Sequence, residues 1–188
     1  MKIIVSRYNE DVEWIKQFQN VLIYNKGCKL DDSFNQNNQI MLNNVGREGH
    51  TYYKYIYDNY DNLEDYTIFL QGNPFDHSPN IITNLKNYIN NDLNIEFEFL
   101  SEKVLDTNLS GCPYHAKLPM ISVYEKLFNE SKTDLQFKFG AGAQFIVSKN
   151  QILKRPREFY LKIVEMLQNH ISPIEGYVIE RFHKLILM

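Results

Sequence analysis

Three short apolar runs restrict the folds open to this chain: Ile3-Ile4-Val5, Val21-Leu22-Ile23-Tyr24 and Tyr66-Thr67-Ile68-Phe69-Leu70. Each is too short for a buried helix and rich in β-branched or aromatic residues, as strands are. Between the first two, Val12, Ile15 and Phe18 fall at helical spacing; between the second and third, Tyr52, Tyr53, Ile56, Tyr60 and Leu63 make one apolar helical face. The order is strand, helix, strand, helix, strand. Sequential strands joined by helices run parallel, and a parallel sheet is covered by helices. The expected class is therefore α/β, a mainly parallel sheet flanked by helices.

The remainder fits that frame. Asn25-Lys26-Gly27 closes the second strand as a turn, and the Asn/Gln-rich stretch from Asp31 to Gln39 reads as a surface loop. Pro79 heads a helix carrying Ile81, Ile82, Leu85, Tyr88 and Ile89. Ile95 to Leu100 alternates, as an edge strand does, whereas Ser101 to Pro119 is irregular. Ile121 to Phe128 is helical in pattern, and Phe137 to Val147 is strand-like around Gly140-Ala141-Gly142-Ala143. Helices over Pro156 to Gln168 and Ile174 to Leu187 finish the chain. With no internal repeat and 44% hydrophobic content, its 188 residues make one domain, 1–188.

Charge and hydropathy exclude some partners. Twenty basic against 23 acidic residues leave a net charge of -3, with no global attraction for nucleic acid or an anionic membrane. No stretch approaches the ~18–20 apolar residues of a membrane span, and Arg7 interrupts the amino-terminal run well before a signal peptide core of ~7–15. A soluble, cytoplasmic protein is expected. Cys28 and Cys112 lack metal-ligand spacing and read as reduced thiols.

The candidate chemistry sits where strands end, since an open α/β sheet binds ligands beyond the carboxyl ends of its strands. Tyr8-Asn9-Glu10 follows the first strand and offers a ring and two polar groups to a base or ribose; it could equally cap the next helix. Asn44-Val45-Gly46-Arg47-Glu48 combines a chain-reversing glycine, a guanidinium and free helix amides, the parts of an anion site; the plain alternative is a capped helix with an ion pair. Gln71-Gly72-Asn73-Pro74-Phe75-Asp76-His77 runs straight on from the third strand, so Asn73, Asp76 and His77 should face a cleft. Asp76 and His77 could ligate a divalent cation, although two ligands do not make a metal site. Gly140 to Ala143 lacks the Lys-Ser/Thr of a phosphate loop and reads as backbone packed beside a substrate. Ser172-Pro173-Ile174-Glu175 places a carboxylate in a first helical turn, where it is a general base or a helix-dipole partner. Glu180 reads as structural, paired with His183 or Lys184, and Arg155-Pro156-Arg157 as a diphosphate contact or a solvated surface.

Taken in order, Ser6-Arg7-Tyr8-Asn9-Glu10, Tyr24-Asn25-Lys26-Gly27, Asn44 to Tyr52, Phe69 to Pro74 and Phe139 to Phe145 resemble the small glycosyltransferase-like family catalogued as DUF3431. That family is similar in turn to the N-terminal domain of a chlorovirus capsid-glycan glycosyltransferase. The resemblance implies a GT-A-like, Rossmann-type fold and a nucleotide-sugar donor, with a hexose or deoxyhexose passed to a glycan or protein acceptor. By it, Ser6, Arg7, Tyr8, Asn9, Glu10, Asn25 and Lys26 hold the donor together with Asn44, Arg47, Glu48, Gln71, Gly72 and Asn73. Gly140, Ala141, Gly142 and Ala143 would stand on the acceptor or sugar side. Gln71-Gly72-Asn73 occupies the place of an Asp-x-Asp motif without its carboxylates. Either Asp76 and His77 then hold Mn2+ or Mg2+, or Arg7, Lys26, Arg47 and Arg155 take the ion's place. Ser172 to Glu175 is similar to the Ser-Pro-x-Glu of metal-independent branching N-acetylglucosaminyltransferases, which makes Glu175 the base of an inverting transfer. Two rival readings are a catalytically silent glycan-binding module and a permuted S-adenosylmethionine-dependent methyltransferase, the latter suggested by Asn73-Pro74-Phe75.

Overall fold

The computed structural model describes residues 1–35, 38–111, 114–115 and 117–188. Its strands are β1 (Lys2–Arg7), β2 (Val21–Asn25), β3 (Gln39–Met41), β4 (Tyr66–Gln71), β5 (Phe97–Phe99), β6 (Val104–Asn108), β7 (Gln136–Gly140) and β8 (Phe145–Ser148). Its helices are α1 (Arg47–Asp58), α2 (Ile81–Asn90), α3 (Met120–Phe128), α4 (Lys149–Ile152), α5 (Arg157–Leu167) and α6 (Ile174–Leu187). Six strands form a sheet in the order β3-β2-β1-β4-β8-β5. β1, β2, β3 and β4 run parallel, and β8 runs antiparallel to both β4 and β5. The mostly parallel α/β architecture is thus present, with β5 at an edge as its alternation predicts.

The unbroken apolar runs follow from burial on both faces. Successive strand residues point to opposite sides, and here Ile4, Tyr24, Phe69 and Phe145 enter one core while Ile3, Val5, Ile23, Ile68 and Ile146 enter the other. The first core is closed by α1, α3, α5 and α6, through residues such as Tyr52, Leu127, Ile163 and Phe182; the second by α2, through Ile81 and Leu85. At about 1.5–3 kcal/mol per fully buried large apolar side chain, these central strands carry much of the stability. No helix among the described residues is long and apolar enough to cross a membrane.

Several elements depart from the sequence reading. The helix expected around Val12 to Phe18 is a single 3-10 turn, Glu13–Gln17, that buries only Ile15 and hands Phe18 to extended backbone. Phe137 to Val147 is two strands rather than one: β7 pairs with β6 in a separate two-stranded sheet, and β8 joins the main sheet. Gly142 (φ 85°) and Ala143 (φ 55°) are left-handed, a conformation no strand continues through. β3 (Gln39–Met41) begins on the last residue of the stretch read as a loop, and β6 arises within the segment read as irregular. Cys28 is a free thiol, and Cys112 lies outside the described residues.

The strand order also fixes where a ligand can enter. From β1 the chain moves to β2 and β3 on one side, then returns to lay β4 on the other. The connections beyond β1 and β4 therefore diverge and leave a crevice at the carboxyl edge.

Candidate functional site

A cleft of about 530 Å³ opens at that crevice. The end of β1 supplies Ser6, Arg7, Tyr8 and Glu10, and the turn after β2 supplies Lys26. Asn44, Arg47 and Glu48 come from the start of α1, Gln71, Asn73 and Asp76 from the end of β4, and Ile171 and Ser172 from the approach to α6. Ten of the thirteen residues expected to hold a donor line this cleft. The other three, Asn9, Asn25 and Gly72, shape it from behind.

That support is built from close contacts. Asn25 is fully buried; its carbonyl oxygen accepts from Arg7 Nη1 at 2.8 Å, and its amide donates to the Cys28 carbonyl at 2.8 Å. Arg7 donates further to the carbonyls of Glu10 and Cys28, both at 2.8 Å, so its guanidinium ties two strand-end loops together. Asn9 accepts the backbone N–H of Cys28 at 2.9 Å. Glycine is required twice. A Cβ on Gly27 would lie 1.6 Å from the Tyr8 carbonyl oxygen, and one on Gly72 would lie 2.7 Å from the Glu10 carboxylate. That carboxylate accepts the Tyr8 N–H at 2.6 Å. Tyr8, half exposed, is left at the rim.

The charged wall is Lys26, Arg47 and Glu48. Lys26 is buried, and its ammonium donates to the carbonyl of Val45 at 2.7 Å and to that of Arg47. Burial lowers its pKa to about 8, against a smaller upward pull from Glu48. Burial likewise raises the Glu48 carboxyl, while Arg47 draws it down. Gly46 and Arg47 both have left-handed backbone, and their N–H groups are taken by the carbonyls of His170 and Ile171. The loops before α1 and α6 are thereby stitched side by side.

A second cleft of about 260 Å³ adjoins the first, and the two share Arg47 and Gln71. Its far wall is one face of α6, where Tyr177, Glu180 and Arg181 stand at i, i+3 and i+4. Glu180 Oε1 accepts the Gly142 N–H at 3.0 Å, and its Oε2 lies 3.4 Å from Arg181 Nη1. Arg181 is buried, donates to the Tyr177 carbonyl at 2.6 Å and meets His115 Nδ1 at 3.0 Å.

The family model "Protein of unknown function (DUF3431)" matches residues 3–188. The chain belongs to this family. No curated protein and no solved structure matches it. In this DUF3431 protein the remaining expected residues divide between the clefts. Asp76 lines the first and His77 the second, where the His77 ring packs on Gly142; a Cβ there would come within 2.4 Å of its Cδ2. Ala141 and Gly142 line the second cleft, while Gly140 packs on Phe99 and Ala143 is buried in the core. The residues present do not gather a ligand set for the Mn2+ or Mg2+ that the resemblance implies. Asp76 and His77 do not share a cleft, and no three His, Cys, Asp or Glu side chains cluster among the described residues.

Glu175 lines neither cleft, although it stands in the first turn of α6. The carboxylate of that helix that does reach a cleft is Glu180, whose partners are Gly142 and Arg181 rather than His183 or Lys184. Its position was foreshadowed only by the polar i, i+3, i+4 face of an otherwise buried helix. Arg155 lies over the Phe128 and Phe159 rings, away from both clefts. Lys103, Tyr114, His115 and Arg181 belong to no motif, and nothing in the sequence marked them as neighbours.

Proposed function

We propose that this DUF3431 protein is a nucleotide-sugar-dependent glycosyltransferase of GT-A-like design, with the donor in the first cleft and the acceptor in the second. The supporting observation is that two clefts lined by charged side chains meet at Arg47 and Gln71 over the switch point of a mostly parallel sheet. A transfer reaction needs this layout, because two substrates must present their reacting atoms to one another across a short, shielded junction.

The acceptor hydroxyl oxygen forms a bond to the anomeric carbon as the bond from that carbon to the diphosphate oxygen breaks. The electron pair leaves with the diphosphate. Its developing charge is met by the Arg47 guanidinium and the Lys26 ammonium, preorganised donors of the kind that stabilise charge-separating transition states. The hydroxyl proton passes to a carboxylate. Glu180 takes that role in place of Glu175, since it lines the acceptor cleft and is oriented by the Gly142 N–H. Attack from the face opposite the leaving group inverts the anomeric centre.

The test is a thermal-shift screen over uridine and guanosine diphosphate sugars, with and without Mn2+, beside S-adenosylmethionine. A ligand at 100 times its Kd should add about 2.7 kcal/mol of apparent stability. Stabilisation by a nucleotide-sugar, followed by its turnover, supports the reading. Stabilisation by S-adenosylmethionine alone refutes it, and nucleotide-sugar binding with no hydrolysis or transfer leaves a silent binding module.

A further inference from the structure

We propose that the second cleft is an oxyanion site, so that the acceptor is a glycan bearing a phosphate, sulfate or carboxylate group; as an acceptor assignment this rests on the transferase reading above. Three cations line this cleft, and each lies over an aromatic ring that lines it too. Arg47 Cζ stands 4.2 Å from the Tyr177 ring centroid, Lys103 Nζ 4.1 Å from Tyr114 and Arg181 Cζ 4.9 Å from Phe139. A ring beneath a cation fixes its position; Lys103 has no carboxylate partner among the described residues, whereas Arg47 lies 3.7 Å from Glu48 and Arg181 3.4 Å from Glu180. Among the described residues Glu180 is the one carboxylate in the lining, and Glu48 pairs with Arg47 beside it, so three cations against two carboxylates leave one positive charge in excess in a chain whose net charge is -3.

Hydrogen bonding points the same way. Arg181 is 2% exposed and its Nη groups are engaged, yet its buried Nε has no partner among the described residues; the same holds for Arg47 Nε. A buried N–H without an acceptor costs free energy, and a guanidinium with an uncommitted edge is the usual receptor for a planar carboxylate or a phosphate. Both arginines line the one cleft, so a small shift of either side chain would offer its unpartnered Nε–H to a single anionic group between them. Tyr177 is occupied by Arg47 and by the His115 ring at 4.7 Å, which leaves the exposed Tyr114 as the aromatic surface for the C–H face of a sugar.

The experiment titrates the full chain by calorimetry with glucose, glucose 6-phosphate and glucuronate, each alone and with saturating uridine diphosphate. The expected result is that one or both charged sugars bind at least about tenfold tighter than glucose, with or without the nucleotide. Whichever charged sugar binds tighter tells phosphate from carboxylate. In Lys103→Gln, an exposed position, the charged-to-neutral preference should fall by about threefold or more. Arg181→Gln, checked for folding by circular dichroism, should lower it further. Equal binding of glucose and both charged sugars, displacement of the charged sugars by the nucleotide, or an unchanged preference in Lys103→Gln overturns the proposal. If no nucleotide binds at all, the transferase reading fails on that arm alone, while the arms without nucleotide still decide the oxyanion site.

Discussion

Lys26 gives the first cleft a pH dependence that can be worked out in advance. Its ammonium is buried among backbone carbonyls and its pKa is lowered to about 8 by that burial. If the charged form holds the diphosphate, affinity for a nucleoside diphosphate must follow the ammonium. Between pH 7 and pH 9 the charged fraction falls from about nine-tenths to about one-tenth, so Kd should rise about tenfold, or about 1.4 kcal/mol. The terminal phosphate, with a second pKa of about 6, is already about nine-tenths ionised at pH 7, so the phosphates contribute little to the slope. Titration with uridine diphosphate at constant ionic strength reads it directly. Lys26→Met should bind weakly at pH 7 and show a flat profile. A wild-type affinity that is unchanged from pH 7 to pH 9, or a variant that keeps the tenfold loss, would refute the reasoning.

The same group offers a check that needs no ligand. Its folded pKa of about 8 lies below the ordinary 10.5, so above pH 8 the unfolded chain binds more protons than the folded one. Stability then rises with pH. The gain from pH 8 to 9.5 is about 1.5 kcal/mol, measurable as a shift in the urea midpoint. Above pH 10 the sign reverses, because burial raises the hydroxyls of Tyr24, Tyr52 and Tyr160 in the folded state and unfolding releases their protons.

Acid acts through two buried imidazoles. His183 is pushed down to about 3 by burial and His50 to about 4 by burial and the nearby Lys26. Both depressions favour the neutral folded form, so the stability they contribute is present above pH 6.5 and is lost as pH falls. From pH 6.5 to 5 the loss is about 1.5 kcal/mol per imidazole, offset in part by Glu48, whose raised pKa works in the opposite sense. His183→Phe should remove its share of that slope in denaturant titrations; an unchanged slope contradicts the assignment. Gly27→Ala, which drives a Cβ into the Tyr8 carbonyl, should cost at least about 2 kcal/mol and weaken nucleotide binding. Gly49→Ala, whose Cβ meets Leu167 only at 3.3 Å, should stay within about 1 kcal/mol of wild type by chemical denaturation. Glu180→Gln should abolish sugar transfer at unchanged nucleotide affinity while Glu175→Gln keeps more than about a tenth of the rate; the reverse outcome in a radiolabelled-sugar assay returns the base to Glu175.

What the sequence disclosed of the fold followed from burial. β1, β2 and β4 lie at or near the centre of the sheet, packed on both faces, and so announce themselves as continuous apolar runs. β3 is three residues long and mostly exposed, and β6, though as long as β2, is half exposed with no residue in either core, so neither left a pattern to find. α1 begins at Arg47, five residues before the first ring of the apolar stripe, because its opening turn is placed by hydrogen bonds from Gly46 and Arg47 to the His170–Ile171 loop rather than by hydrophobic periodicity. The first cleft was legible for a related reason: parallel strands deliver their ends to one edge, so position along the chain stands in for position in space. The second cleft draws Lys103, Tyr114, Phe139 and Arg181 from four separate segments, and no local rule connects them.

That difference bears on how the two clefts would work together. Arg47 is anchored by its left-handed backbone and its hydrogen bond to Ile171, and its side chain runs past Gly176, where a Cβ would stand 3.2 Å from its Cδ. The guanidinium thus reaches the boundary of the two clefts from a fixed stem while its head rests on Tyr177 of α6. A group in that position feels both occupants. An oxyanion in the second cleft and a diphosphate in the first would compete for its donors unless one of them also engages a second cation, and each cleft supplies one: Lys26 on one side, Arg181 on the other. Filling either cleft removes charge from the junction, so an anionic acceptor is expected to bind less tightly once a diphosphate is present, yet without displacement. The same coupling would favour departure of the spent nucleoside diphosphate when a fresh charged acceptor arrives.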